Sequence, residues 1–109
     1  MSIAVTIRYT GAGDNAKKFA DEMTSSGTVE KIRAEKGNLG YEYFFPMEDQ
    51  RSVLLIDQWQ NQAAIDAHHD SPMMKTIFEL REKYDLKMKV DRYVSDSGIP
   101  ETDKKFIRE

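Results

Sequence analysis

Apolar and polar residues alternate from residue 3 to residue 9: Ile3, Val5, Ile7 and Tyr9 fall on one side, Ala4, Thr6 and Arg8 on the other. That period of two predicts a strand with one buried face. Gly11 and Gly13 interrupt it, and Asp14 is placed to cap a helix. Ala16, Phe19, Ala20 and Met23 then follow at the 0, 3, 4, 7 spacing of a single helical face. Val29 and Ile32 lie roughly 160 to 220° around that helix from Ala16 at about 100° per residue, and Thr24-Ser25-Ser26-Gly27 is poor helix material. The pattern predicts a break near Gly27 and a second helical piece to about Glu35, closed by Lys36-Gly37-Asn38 through a left-handed residue. Gly40 to Pro46 reads as a strand with Tyr41, Tyr43 and Phe45 on one face and Glu42 and Phe44 on the other. Residues 47–51 form the hairpin loop to its antiparallel partner, Ser52 to Trp59. There Val53, Leu55, Asp57 and Trp59 share one face, and Leu54, Ile56 and Gln58 the other.

Asn61 is a good N-cap for a helix from Gln62 to His69, on which Ala64, Ile65 and His68 share a face. Pro72 suits the first turn of another helix, whose inner stripe is Met73, Ile77, Leu80 and Tyr84, flanked by Phe78. Leu86, Met88 and Val90 alternate with Lys87, Lys89 and Asp91 in a last strand that ends near Val94 and closes the core. Residues 1–94 thus form one domain. Residues 95–109, mostly charged with Ile99, Phe106 and Ile107 apolar, form a tail that is mobile or docked on a partner subunit.

The order β, α, β, β, α, β is an α+β class, the split βαβ of a ferredoxin-like fold: a four-stranded antiparallel sheet with helices on one face. The second and third strands carry apolar residues on both faces, so the bare face calls for a cover. A second copy of the chain, in a two-fold homodimer, is the expected one.

Composition narrows the chemistry. The 109 residues contain no cysteine, which excludes disulfides, iron–sulfur clusters, cysteine-ligated zinc and a cysteine nucleophile. A net charge of −3, from 16 basic and 19 acidic residues without a basic block, gives no footprint for nucleic acid or anionic lipid. No run approaches the roughly 20 apolar residues of a membrane span, and Met1 to Thr6 lacks the opening of a secretory signal, so the expectation is a soluble, cytoplasmic protein. His68 is the one candidate general base with an intrinsic titration range near neutrality that points where apolar residues point. The alternative for it is a helix-end histidine bonded to a carbonyl or carboxylate. His69, Asp66 and Asp70 do not make a metal site, because adjacent histidines on a helix diverge by about 100°. Arg8 is a possible anchor for an anionic substrate, or a solvated or dimer-edge arginine.

Three segments together resemble the antibiotic biosynthesis monooxygenase (ABM) domain family, with its quinol monooxygenase members. They are Ile32-Arg33-Ala34-Glu35-Lys36-Gly37-Asn38-Leu39-Gly40-Tyr41, Asp57-Gln58-Trp59, and Ala63 to His68 followed by Ser71-Pro72. The resemblance runs over about residues 3 to 94. It implies a dimeric α+β barrel with a pocket between sheet and helices in each subunit. For some members it implies oxygenation of quinol or anthrone-like aromatics with O2 and without metal, flavin or haem; no cofactor is expected. Trp59 matches the family's strand-end tryptophan, His68 the histidine of the following helix, and Tyr41 the aromatic after the glycine turn. The substrate-binding candidates are Trp59, Tyr41, Tyr43, Phe78 and Met73, with His68 catalytic. Met73 stands where many members have a second histidine, and Asp57 where glutamate is usual. A mechanism that needs two histidines therefore lacks one here. The sites of the haem-degrading branch fall on Ile7 or a neighbour, His68 and Phe78, which are not its Asn, Trp and His. Two other readings stand beside the oxygenase. One is an isomerase of a small phosphorylated metabolite, because the branch that processes phosphorylated autoinducer-2 has a similar Glu35-x-Gly37-Asn38-Leu39 segment. The other is a non-catalytic dimeric protein that binds a small molecule.

Overall fold

The computed structural model describes residues 1–96 and 98–108. Its elements follow the alternation of periods: β1 (Ile3–Thr10), α1 (Asn15–Ser25), α2 (Thr28–Arg33), β2 (Asn38–Phe44), β3 (Ser52–Trp59), α3 (Gln62–His69), α4 (Met73–Lys83), β4 (Lys87–Val94) and a last short turn of helix, α5 (Glu101–Lys104). The four strands form one antiparallel sheet in the order β2-β3-β1-β4, the split βαβ topology. No helix among the described residues is long and apolar enough to cross a membrane.

Register decides which side chains meet. Val5 lies opposite Asp57 on β3 and Arg92 on β4, Tyr9 opposite Val53 and Met88, and Tyr41 opposite Asp57. The odd-numbered residues of β1 and β3, Tyr41 and Tyr43 of β2 beyond its register shift, and the even-numbered residues of β4 therefore share one face. Against it α1 and α2 bring Phe19, Met23, Val29 and Ile32, all buried together with Tyr9, Leu55 and Trp59. Each such side chain contributes about 1.5–3 kcal/mol by leaving water.

Local chemistry explains the boundaries. Gly27 adopts φ 82° and starts α2 one residue later, so the helix breaks where the apolar stripe changes face. Asn61 accepts from the Ala64 amide at 3.0 Å and caps α3. The expected Asp14 cap is not made: its side chain turns to Lys18 at 3.4 Å, and α1 begins without a side-chain cap. β2 begins two residues before the predicted Gly40, because a register shift between Asn38 and Gly40 lets pairing start directly after Gly37. It ends at Phe44, so Phe45 falls outside the sheet and is exposed. α2 stops at Arg33, whose guanidinium donates instead to the Tyr41 carbonyl at 2.8 and 3.0 Å.

Gly37 closes the first half of the domain. Its φ is 86°, and a Cβ there would sit 2.6 Å from the Cβ of Ala64 on α3. Gly37→Ala combines left-handed strain with a clash against Ala64 of α3, and should cost about 1–3 kcal/mol in urea melts. A loss below 0.5 kcal/mol would show that α3 yields freely.

The last strand departs from expectation. β4 does not close the core: all eight of its residues are exposed, with Met88 and Val90 on the helix-side face. The physical reason is coverage. α1 and α2 lie over β1, β2 and β3, and the sheet extends beyond them at the β4 edge, leaving a cavity beneath α3 and α4. The opposite face of the sheet carries Leu39, Phe44 and Tyr93 exposed beside half-buried Leu54 and Ile56. Beyond Val94 the described residues are exposed.

Candidate functional site

The cavity has a volume of about 290 Å³. Val5, Ile7 and Leu55 form its floor, Ile65 and Ile77 its helical wall, and Met88 and Val90 its β4 side. Polar groups enter this apolar space at few points, and each is placed by a named element.

His68 comes from the last turn of α3, on the face that Ile65 also buries. The ring is 5% exposed, stacks on Trp59 at 4.8 Å between centroids and 28° between planes, and meets Tyr41 edge-on at 6.4 Å. Its Nδ1 lies 2.7 Å from Oε1 of Glu35, itself mostly buried just after α2. An ionised carboxylate only accepts, so in the neutral imidazole this contact selects the tautomer with the proton on Nδ1 and leaves Nε2 as the acceptor nitrogen. Among the described residues Nε2 has no hydrogen-bond partner, and the residue lines the cavity.

Asp57 comes from the inward face of β3. Its Oδ2 accepts from Trp59 Nε1 at 2.6 Å, while its buried Oδ1 has no partner among the described residues. Burial pushes its carboxyl above the ordinary 3.8, against the opposing effects of the Trp59 hydrogen bond and of His68. A raised value means that the folded state binds this proton more tightly than the unfolded chain does. Above the folded value the ionised carboxylate therefore costs stability, and that cost fades as pH falls through it. Asp57→Asn keeps an acceptor for Trp59 without the charge. The variant should melt above wild type at pH 8, with the gap narrowing as pH falls toward 4; a gap independent of pH would remove the charge as its cause.

Three tyrosines surround these groups. Burial raises the hydroxyls of Tyr9, Tyr41 and Tyr43 well above 10, so all three stay protonated and do not act as bases; the buried Tyr43 hydroxyl has no hydrogen-bond partner among the described residues. Tyr9 and Tyr41 line the cavity, whereas Tyr43 sits behind Tyr41, edge to face at 5.9 Å.

The structure brings Tyr41 and His68 together at the cavity and puts Trp59 directly beneath them, fully buried. Met73 packs against the core one residue away from the lining Met74, and Phe78 is 47% exposed under the Arg81 guanidinium, outside the lining. Arg8 lies on the other face of the sheet and pairs with Asp49 at 2.9 Å. Among the described residues no cluster of His, Asp and Glu has the makings of a metal site. Beyond the expected residues, the site includes Tyr9, Glu35, Asp57, His69, Arg81 and Arg92. A carboxylate in phase with Val53, Leu55 and Trp59 on a buried face was the available signal for Asp57. Arg92 shares the parity of Met88 and Val90, and Arg81 follows Ile77 by four residues. Glu35 gives no local signal, since its partner is 33 residues away.

The antibiotic biosynthesis monooxygenase family profile matches residues 2–80. No curated protein matches the chain. Among solved structures, a candidate antibiotic biosynthesis monooxygenase from Deinococcus radiodurans is similar with a TM-score of 0.76 at 17% identity, over 92% of this chain and 97% of that one. A conserved protein from Methanosarcina mazei has a TM-score of 0.76 at 20% identity, over 88% and 94%. SnoaB, a cofactor-independent oxygenase from Streptomyces nogalater, has 0.68 at 12% identity, over 92% and 98%. At these identities the structures share a fold. The profile match runs from β1 almost to the end of α4, well over half of the chain, which therefore belongs to the antibiotic biosynthesis monooxygenase family.

Proposed function

We propose that the protein is a cofactor-independent monooxygenase that oxidises a small quinol or polyphenol-type aromatic with O2, using His68 as general base. The observation that carries this reading is the Glu35–His68 pair set into the wall of an apolar cavity large enough for an aromatic ring system. The family supports it, and so does the likeness to a protein named as a cofactor-independent oxygenase.

The residues account for the steps as follows. Nε2 of His68 takes the proton of a substrate hydroxyl, and Glu35 stabilises the imidazolium that results. The phenolate passes one electron to O2, and the pair recombines with a carbon–oxygen bond at a ring carbon that bears hydrogen. The imidazolium proton converts the peroxide into a hydroperoxide. Cleavage of the O–O bond with loss of that carbon's hydrogen releases water and leaves a quinone carbonyl. One oxygen atom enters the product and the other leaves as water, and the ring supplies all four electrons. Tyr41 flanks the imidazole, and the cavity's apolar lining keeps bulk water from quenching the anion. The test is oxygen uptake by the metal-free protein on a panel of quinols and anthrones. Uptake proportional to protein supports the reading, and none across the panel overturns it.

A homodimer completes this proposal. The sheet face away from the cavity exposes Leu39, Phe44 and Tyr93 around Ile56, and a two-fold partner offering the same face would cover it. The chain should sediment as a dimer at micromolar concentration, and Ile56→Lys, which puts a charge into the centre of that face, should shift it to monomer. A wild-type chain that sediments as monomer would discard the pairing.

A further inference from the structure

Two arginines face the cavity from different elements. Arg81 reaches it from α4 and Arg92 from β4, and both belong to its lining. Arg81 Nη1 lies 3.0 Å from the Met88 sulfur, a weak acceptor, and the guanidinium stacks 4.9 Å above the Phe78 ring. Arg92 Nη2 donates to the neutral Gln62 side chain at 2.7 Å. Among the described residues neither has a carboxylate within 4.0 Å, although six other lysines and arginines do. Each guanidinium has five donors and spends one on these neutral partners.

The acidic part of the lining pairs with neither charge. Among the described residues Asp57 is the only acidic one there, and it is buried and bonded to Trp59 rather than to either arginine. The charge of Arg81 is felt inside the cavity, where it opposes the effect of burial on the Tyr9 hydroxyl. A chain of net charge −3 thus presents a cavity with two permanent positive charges at its rim and hydrocarbon within. Such a site selects a ligand with one anionic end and an apolar, ring-sized body.

We propose that the cavity binds aromatic carboxylates, with the carboxylate held by Arg81 and Arg92 at the rim and the ring inserted between the β1–β4 floor and α4. The apolar lining disfavours a sugar phosphate, whose hydroxyls would lose water without gaining partners. This inference names the substrate class of the site under the oxygenase reading, and rests on that reading for its catalytic meaning only. With the ring inserted and the carboxylate outward, the reacting hydroxyl lies on the deep side, where His68 is.

The test is binding, read by calorimetry without any turnover, with 2-naphthoate, its uncharged isostere 2-naphthamide, and 2-naphthyl phosphate as probes. Wild type should bind the carboxylate at least tenfold more tightly than the amide. The Arg81→Gln/Arg92→Gln variant should lose most of that preference while its affinity for the amide stays within about twofold. Both arginines lie at the rim, and the carboxylate-to-amide ratio in wild type serves as a second measurement independent of the variant's folding. Equal binding of carboxylate and amide by wild type, binding of neither, or a preference that survives in a folded double variant would each overturn the clamp. Tighter binding of the phosphate ester would overturn the carboxylate assignment in favour of a phosphorylated ligand. The two proposals fail separately. Selective naphthoate binding without oxygen uptake on any phenolic substrate leaves the clamp and removes the oxygenase, while uptake indifferent to a substrate carboxylate does the reverse.

Discussion

His68→Ala should lower kcat/KM for oxygen uptake on a phenolic substrate by a factor of about 100 or more, the usual scale for losing a general base. The imidazole is the one group in the cavity that pairs an acceptor nitrogen with an internal source of compensation for the charge it would gain, the Glu35 carboxylate 2.7 Å from Nδ1. The neighbouring tyrosines cannot replace it, since burial holds their hydroxyls protonated. Glu35→Gln offers an amide in place of the carboxylate, so it removes the charge and weakens control of the tautomer; its activity should fall between wild type and His68→Ala. Both variants need a melting curve alongside, because removing the histidine leaves a mostly buried carboxylate without its partner and should itself lower stability. A folded His68→Ala protein with undiminished uptake would discard the base while leaving an oxygenase, and Asp57, whose buried Oδ1 is unpartnered, would become the group to test next.

The periodicity of the chain reaches the fold because each element is held by neighbours close in sequence. β1 alternates cleanly, α1 shows one apolar stripe, Gly27 marks a true break, and Asn61 makes the cap that its side chain suits. The order of those elements then leaves few topologies, and the sheet order β2-β3-β1-β4 is one of them. The site is less legible for a physical reason: its polar groups are defined by partners distant in the chain. Glu35 ends a helix in sequence and becomes the orienting carboxylate only when α3 packs beside it. Arg81 and Arg92 look like solvated residues of a helix and a strand until α4 and β4 enclose a common space. Met88 and Val90 illustrate the converse: an alternating apolar strand reads as core, and here it is cavity wall because no helix covers that edge fully. Phe78 and Met73 show the limit of proximity along a helix, since one step of about 100° separates the Met74 that lines the cavity from the Met73 that does not.

Trp59→Ala should be the most destabilising single truncation in the domain, at about 3–5 kcal/mol in urea melts. Trp59 is completely buried at the end of β3, and its ring supports the His68 imidazole by stacking. Its Nε1–H also makes the only side-chain hydrogen bond that Asp57 has among the described residues, at 2.6 Å. Truncation therefore opens a cavity the size of an indole and leaves both oxygens of a buried carboxyl unsatisfied. Against the 5–15 kcal/mol that holds a typical domain together, the loss brings the protein near its unfolding threshold. Trp59→Phe separates the two contributions. It keeps most of the ring but not the donor, so it should cost about 1–3 kcal/mol, and more at pH 8 than at pH 4, because the orphaned carboxyl carries more charge at the higher pH. Oxygen uptake should fall in Trp59→Phe as well, since an altered support lets the imidazole leave the geometry that Glu35 alone does not fix. If Trp59→Ala unfolds within 1 kcal/mol of wild type, the ring is not the keystone of this side of the core. If Trp59→Phe costs the same at both pH values, the Nε1–H is not what makes the buried carboxylate tolerable.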